Sequence, residues 1–522
     1  MRSWTEQVLA RLNDGLYERE AVVRMTLLAT VAGESIFMLG PPGVAKSMIA
    51  RRIKQLFSVG TSFEYLMNRF STPDELFGPI AISKLKAEDK YERVIDGYLP
   101  AADVVFLDEI WKAGPSIQNA LLTVINEKLF RNGSEDLRVP MKVLVAASNE
   151  LPAQGQGLGA LWDRFIIRLY VDGIKSPAAF DAYLTAPAHP ETFTLPEELQ
   201  ISDAQYAEWQ NQIATQTLSP EALHTIKVLR EFIRKYNEQA KSADKIYVSD
   251  RRWRKVVRLL KASAFLNGRT EVDLTDCYLL VDMIWEAPVQ LTTLKEFLSK
   301  AIARGVQVQM NYNALSKEVK VLKNTVDSTL VEQVDEHYEE ATIFGDPDTG
   351  EYVKIIEDDM PQYLALPVFK ALKGNRYTST KLRRNIVKSW HDYSEAYEII
   401  RHTEGSIKVR KPSTYSYALK ATGKIYKLVT VKRQRTVKRK RKPTQREHGV
   451  WNERISHLKG RVETALEAAR TRVSTGADTS SNLLLSTHLL KQHQHHYHAA
   501  EKDLIRLLGD LLATQAACDA TN

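Results

Sequence analysis

The chain has 522 residues, 44% of them hydrophobic and 26% charged, a balance that excludes a disordered or fibrous chain and, at this length, a single compact domain. Apolar runs of about 18 residues are absent, residues 1–13 lack the basic start and apolar middle of a secretion signal, and Cys277 and Cys518 stand far apart. A membrane span, a disulfide framework and a cysteine metal site are therefore not expected, and the reducing cytoplasm is the expected location.

The net charge of +8 is confined to one place. Residues 432–442 hold eight basic residues and no acid, so the rest of the chain is electrically balanced. Such a run reads first as a solvated segment and second as a polyanion-binding one, and nucleic acid is the less expected partner.

Residues 1–190 alternate short apolar runs with helical patterns, as a parallel sheet covered by helices does. Five strands are expected, at 35–39, 61–66, 104–107, 142–147 and 165–171, with the ligand at their carboxyl ends. The first strand runs into Gly40-Pro41-Pro42-Gly43-Val44-Ala45-Lys46-Ser47, with a helix following. A phosphate chain needs a loop of inward N–H groups, a helix N-terminus, a lysine for charge and a hydroxyl for Mg²⁺, and this octet supplies all four. Ala45 stands where the usual pattern has a second glycine.

The third strand delivers Asp108 and Glu109, the first placed to hold Mg²⁺ through water and the second to orient or deprotonate an attacking water. The fourth ends in Ser148-Asn149-Glu150, and Asn149 would aim its amide at the γ-phosphate; a strand-end Asn is also a common turn former.

From 191 to 305 the periodicity is helical, as in Val256, Leu259, Leu260 and Ala264, which predicts a smaller all-helical domain. Three narrow apolar seams follow: Leu315, Val319, Leu322, Val326, Leu330 and Val334; Trp451, Ile455, Leu458, Val462, Leu466 and Val473; and Leu504, Leu507, Leu508 and Leu511. They predict a triple-helical arm, 306–338 with 446–522, split by an insert. The insert, 339–445, carries a turn signal at 345–350 and alternating stretches at 415–419 and 424–431, which predict a partly β module ending in the basic run. His488, His493, His495, His496 and His498 lack a nearby carboxylate or cysteine ligand and read as a solvated helix.

The loop GPPGVAKS, the stretch RFSTPDELFG at 69–78, the run GYLP at 97–100 before VVFLDEIWKAGP, and AASNELP together resemble the MoxR branch of AAA+ ATPases over roughly residues 1–290. Tyr17-Glu18-Arg19, FEYL at 63–66, LFRNG at 129–133 and VSDRRW at 248–253 are similar to its regulatory RavA-type members. The resemblance implies an α/β AAA+ core with a five-stranded parallel sheet, an all-α lid and a helical arm interrupted by a β-containing insert.

It further implies ATP and ADP as ligands with Mg²⁺, a homo-hexameric ring, and hydrolysis coupled to remodelling of a protein partner. Lys46, Ser47, Asp108, Glu109 and Asn149 take the roles above. Arg164, in LWDRF at 161–165, matches the family's finger to the neighbouring subunit, and Arg251 its γ-phosphate sensor on the lid, with Arg252 and Arg254 close by. A von Willebrand factor A domain protein is the implied partner, and an inducible lysine decarboxylase that of the insert, from whose expected pattern the basic end departs. A nucleic-acid motor using 432–442 is the alternative.

Overall fold

The structure is a computed structural model, and it describes residues 1–153, 158–186, 193–241, 244–346, 350–355, 362–374, 376–386, 389–392, 396–403, 406–410, 424–475 and 482–519. The expected alternating stretch at 415–419 and the centre of the turn at 345–350 lie outside them. The chain divides into two compact units, Met1–Lys320 with Ile455–Leu512, and Val321–Arg454 with Ala513–Asn522.

The first unit is built on a parallel sheet of β1 (Ile36–Leu39), β2 (Ser62–Leu66), β3 (Val104–Asp108), β4 (Val143–Ser148) and β5 (Ile167–Tyr170), in the order β2-β3-β4-β1-β5. The three central strands read IFML, VVFLD and VLVAAS, almost without a polar break, because helices cover both faces of such a sheet. Edge strand β2 alternates exposed and buried residues instead. These are the five strands that the sequence predicts, to within two residues.

A hairpin at Leu129–Asn132 and Glu135–Arg138 turns on Gly133-Ser134, with Gly133 at φ +66°. The α-helical region holds long helices at Asp203–Thr215, Pro220–Gln239, Asp250–Leu266 and Leu291–Gln309. Ser202, Ser219 and Ser249 cap the first three, each accepting the N–H three residues on.

Two fully buried guanidinium groups join this helical region to the sheet. Arg168, on β5, donates to the carbonyls of Trp162, Phe165 and Trp285 and pairs with Glu286 at 2.8 Å. Its plane lies 3.8 Å from the Trp162 ring centroid. Arg252, on helix Asp250–Leu266, donates to Met283 O, Phe165 O and Ile166 O. Burial pushes the Arg168 guanidinium down to about 9, and the neighbouring Arg252 adds to the shift, so it stays charged at neutral pH.

The segment at 482–490 returns to this unit. Asn482 is wholly buried: its amide donates to Thr275 Oγ1 and Asp276 Oδ1, and its carbonyl oxygen accepts from Asn267. Asp276, also wholly buried, is held by Arg269 and Ser263 as well. Helix Thr487–Asp519 leaves His488, His495 and His498 exposed, as expected, and corrects the solvated reading for His493 and His496. His493 sits edge-on to Tyr278 and Tyr497, with centroids at 5.6 and 5.1 Å, and burial pushes its imidazole down to about 4. His496 faces Ser299 Oγ. No group of three or more His, Cys, Asp or Glu side chains that could hold a metal ion occurs among the described residues.

In the second unit the first seam ends sooner than its spacing predicts. Helix Tyr312–Thr329 stops before Leu330, and Val334 belongs to strand β6 (Val331–Ala341). That strand pairs antiparallel with β7 (Thr430–Lys440) over eleven residues, so the insert's first strand begins at Val331 rather than at 339, and the basic run lies in regular structure. The helical spacing misleads here because Val334 and Tyr338, four residues apart among polar neighbours, share a face in a strand as well as in a helix. Beyond the ribbon, antiparallel sheets of five and four short strands surround a core that includes Val353, Leu364, Phe369, Ile399 and Ile407.

Asn482→Ala removes hydrogen bonds to three buried partners and leaves Asp276 and Asn267 short of theirs. A loss of about 2 to 4 kcal/mol follows, and the calorimetric unfolding transition of the first unit is expected to fall by about 3 to 5 °C. Half-buried Asn452→Ala, in the second unit, should leave that transition in place.

Candidate active site

Strand β1 ends at Leu39, the loop 40–45 turns over the sheet edge, and helix Lys46–Lys54 begins directly behind it. Gly40 passes so close to β5 that a Cβ there would stand 2.0 Å from Val171 O. Gly43 has φ +79° and open space around it. Ala45 is also left-handed, φ +67°, at the helix N-cap. This is where the usual pattern has glycine, and an alanine there carries about 1 to 2 kcal/mol of backbone strain.

The Lys46 side chain is buried and curls back over the loop, its Nζ donating to Gly40 O at 2.5 Å, Pro41 O at 3.1 Å and Asn149 Oδ1 at 3.2 Å. Burial lowers its ammonium below the ordinary lysine value, while Asp108 and Glu109 oppose that shift. The Asn149 amide in turn donates to Glu109 Oε1 at 2.7 Å. Glu109 Oε2 is 3.3 Å from Lys112 Nζ and accepts from Ser148 Oγ at 3.4 Å.

Glu109 itself sits at φ +52°, a strained position for a residue with a Cβ, and one that turns its carboxylate back over the strand ends. A continuous chain Lys46–Asn149–Glu109–Lys112 thus crosses the carboxyl ends of β1, β3 and β4. It borders a cavity of about 260 Å³ lined by residues 42–47 with Leu66, Asp108, Glu109 and Asn149.

The loop, both strand-end carboxylates and Asn149 therefore come together. The two arginines do not line that cavity. Arg164 and Arg251 meet on Asp163, whose Oδ2 lies 3.4 Å from Arg164 Nη1 and 3.3 Å from Arg251 Nη2. Arg251 also donates to Asn126 Oδ1, and Ser249 Oγ donates to Asp163. Of the neighbouring arginines, Arg252 is committed to carbonyls in the core, whereas Arg251 and Arg254 are exposed.

Sequence reasoning passed over Lys112, Leu66 and the bond from Arg19 Nε to Val44 O that steadies the loop from the chain before it. The signal for Lys112 was its place three residues after Glu109, across one helical turn. Leu66 and Arg19 carry no local signal: Leu66 borders the cavity through the position of its strand beside β3, and Arg19 reaches Val44 O from the start of helix Glu20–Ala32.

The donor set is hard: a hydroxyl from Ser47 and a carboxylate from Asp108, the oxygens that Mg²⁺ takes. With the lysine, the turned loop and the helix N-terminus, the residues fit a nucleotide triphosphate and its metal.

Comparison with known proteins agrees. Residues 3–211 match the family model described as the MoxR domain in the MoxR-vWA-beta-propeller ternary systems, and residues 221–298 match an AAA lid domain. An uncharacterized protein of Methanocaldococcus jannaschii is 36% identical over 295 residues, 54% of this chain and 70% of its own length. A second from the same organism is 35% identical over 283 residues, 54% and 72%. A crystal structure from Cytophaga hutchinsonii superposes with a TM-score of 0.47 at 18% identity, covering 58% of this chain and 94% of that one.

Lys46→Ala is expected to weaken binding of a fluorescent ATP analogue by at least about 10-fold, because a charge-assisted hydrogen bond to phosphate is removed. Ala45→Gly should keep that affinity and raise stability by up to about 1 kcal/mol, since glycine meets no penalty at positive φ. Isothermal titration and thermal unfolding of both variants check the pair.

Proposed function

The chain belongs to the MoxR family of AAA+ ATPases, and from that premise we propose that it hydrolyses ATP in a homo-hexameric ring and uses the cycle to remodel a protein partner. The observation that carries this reading is the connected set Lys46, Asn149 and Glu109 at the strand ends, beside the cavity.

Lys46 binds the phosphate chain, exchanging its bonds to Gly40 O and Pro41 O for phosphate oxygens, while the N–H groups of 42–47 face the same charge. Ser47 and Asp108 would hold Mg²⁺, which when bound supplies charge neutralisation on the phosphates. Glu109 orients the attacking water and accepts its proton. Asn149, which bonds both Lys46 and Glu109 in the resting arrangement, exchanges those partners for the γ-phosphate and the water, so that arrival of nucleotide frees Glu109 for its task. Arg251 acts on the γ-phosphate from the helical side of its own subunit.

Arg164 acts in trans, reaching the nucleotide of the adjacent subunit. Its carboxylate partner among the described residues, Asp163, is shared with Arg251, which favours such a transfer. Hydrolysis then belongs to the ring. Residues 1–190 form the nucleotide-binding domain, 191–305 the lid, and the helices Tyr312–Thr329, Gln445–Thr475 and Thr487–Asp519 an arm carrying the insert, whose first strand begins at Val331. The described residues contain no helix long and apolar enough to cross a membrane; the cytoplasm is the proposed site of action. The family model's description names MoxR domains in systems with a vWA component, which supports a von Willebrand factor A domain protein as partner.

The test is steady-state ATPase activity of wild type, Glu109→Gln, Arg164→Ala and an equimolar mixture of the two variants. Wild type should turn over, each variant should fall by about 10³-fold or more, and the mixture should recover part of the activity by placing an intact finger against an intact glutamate. Full activity in Arg164→Ala alone would remove the intersubunit mechanism.

A further inference from the structure

The ribbon of β6 and β7 sorts its charges by side-chain type. In an antiparallel pair, directly opposed residues share a face and successive residues alternate faces. The register places Glu332, Val334, Glu336, Tyr338 and Glu340 on one face with Arg439, Val437, Arg435, Arg433 and Val431. On the other lie Val331, Gln333, Asp335, His337 and Glu339, opposite Lys440, Lys438, Thr436, Gln434 and Lys432 in that order.

The arginine face neutralises itself. Arg433 pairs with Glu340, Arg435 and Arg439 pair with Glu336, and the Arg435 guanidinium lies 5.0 Å from the Tyr338 ring centroid. Val334, Glu336, Tyr338 and Val437 on that face are half-buried.

The lysine face is the reverse. From Val331 to His337 and from Lys432 to Lys440 its residues are all exposed, and Asp335 spends its oxygens on Gln434 and Thr436. Lys432 stands opposite Glu339, but Lys438 and Lys440 stand opposite Gln333 and Val331 and meet no carboxylate among the described residues. The result is an exposed strip in which Gln434 and Thr436 engage Asp335, with His337 and Gln333 beside them, and two ammonium groups at one end that stand opposite no carboxylate.

We propose that this lysine face binds the phosphate backbone of a nucleic-acid duplex, without base-sequence preference. Three features favour that occupant over an acidic protein surface. The face has no aromatic or aliphatic anchor at its centre, and protein interfaces are built around such anchors and are depleted in lysine. Lysine, glutamine and threonine are among the side chains that bond to phosphates. A two-stranded ribbon is narrow enough to enter or straddle the major groove. Single strands are disfavoured because the centre of this face offers no Phe, Tyr or Trp ring for bases to stack on. The inference is independent of the ATPase reading and concerns a surface rather than a motor.

The experiment is fluorescence anisotropy of a labelled mixed-sequence duplex of about 20 base pairs, titrated with full-length wild type, with Lys438→Gln/Lys440→Gln, and with Arg433→Gln/Glu340→Gln, which removes a neutral pair from the opposite face. Wild type should bind in the micromolar range at about 50 mM salt and weaken steeply by 200 mM. The lysine variant should bind at least about 5-fold more weakly and show a log–log salt slope shallower by roughly 2, about 0.9 for each phosphate no longer neutralised. The arginine-face variant should match wild type, and circular dichroism of both variants should be unchanged. A lysine variant that binds within two-fold of wild type overturns the proposal, as does no binding by wild type at low salt. Polyglutamate that displaces the duplex at equal charge would also overturn it, and would make the occupant an acidic polypeptide.

Discussion

Two charges that never see water hold the ATPase unit together. Arg168 reaches from the edge strand β5 into the helical region to donate to Trp285 O, and Arg252 reaches from the helical region back to Phe165 O and Ile166 O in the chain entering β5. Two guanidinium groups this deeply buried are tolerable because Glu286 and Asp163 lie alongside and most of their N–H groups find an oxygen, the exception being Arg252 Nη1, which has only the charges of Asp163 and Glu286 at 3.6 and 4.0 Å. Removing any member would strand a charge in the core. The geometry is also directional, since a planar fork that satisfies several carbonyls at once permits one docking of helices on sheet.

The consequence for the site runs through Asp163. It lies beside Arg252 at the root of this buried cluster and presents the same carboxylate to Arg164 and Arg251 at the surface. The two arginines assigned to sensing and to the intersubunit contact are therefore anchored on the element that fixes sheet to lid. A change in how either arginine is engaged is felt by a carboxylate that the core also depends on, a physical route for coupling between nucleotide state and domain arrangement.

The resting network has a related logic. Lys46, Asn149 and Glu109 satisfy one another beside an open cavity, which keeps a buried lysine and a strained glutamate from being left unpaired. The strain falls at Glu109, where the chain leaves the end of β3, and at Ala45, where the loop turns into its helix, in keeping with the concentration of backbone strain at working sites.

Much of this was legible in the residues. The apolar runs that must be buried on both faces, the glycines and lysine of 40–47, and the Asp108-Glu109 pair at a strand end are local patterns with local physical causes, and they specified the sheet and the heart of the site. What the sequence could not decide depended on order and register. Leu66 borders the cavity only because of the strand order β2-β3-β4-β1-β5, Arg19 bonds the loop only because helix Glu20–Ala32 starts beside it, and Asn482 reaches Asp276 only because a segment some two hundred residues later returns to the lid. Val334 could not be told from a helical seam residue until its partner strand was known. The basic run looked like a single block of charge in one dimension; antiparallel pairing divided it into a face where glutamates answer arginines and a face where Lys438 and Lys440 stand opposite uncharged residues. Local chemistry is written in neighbours along the chain, whereas compensation between distant charges exists only once the fold has brought them within reach.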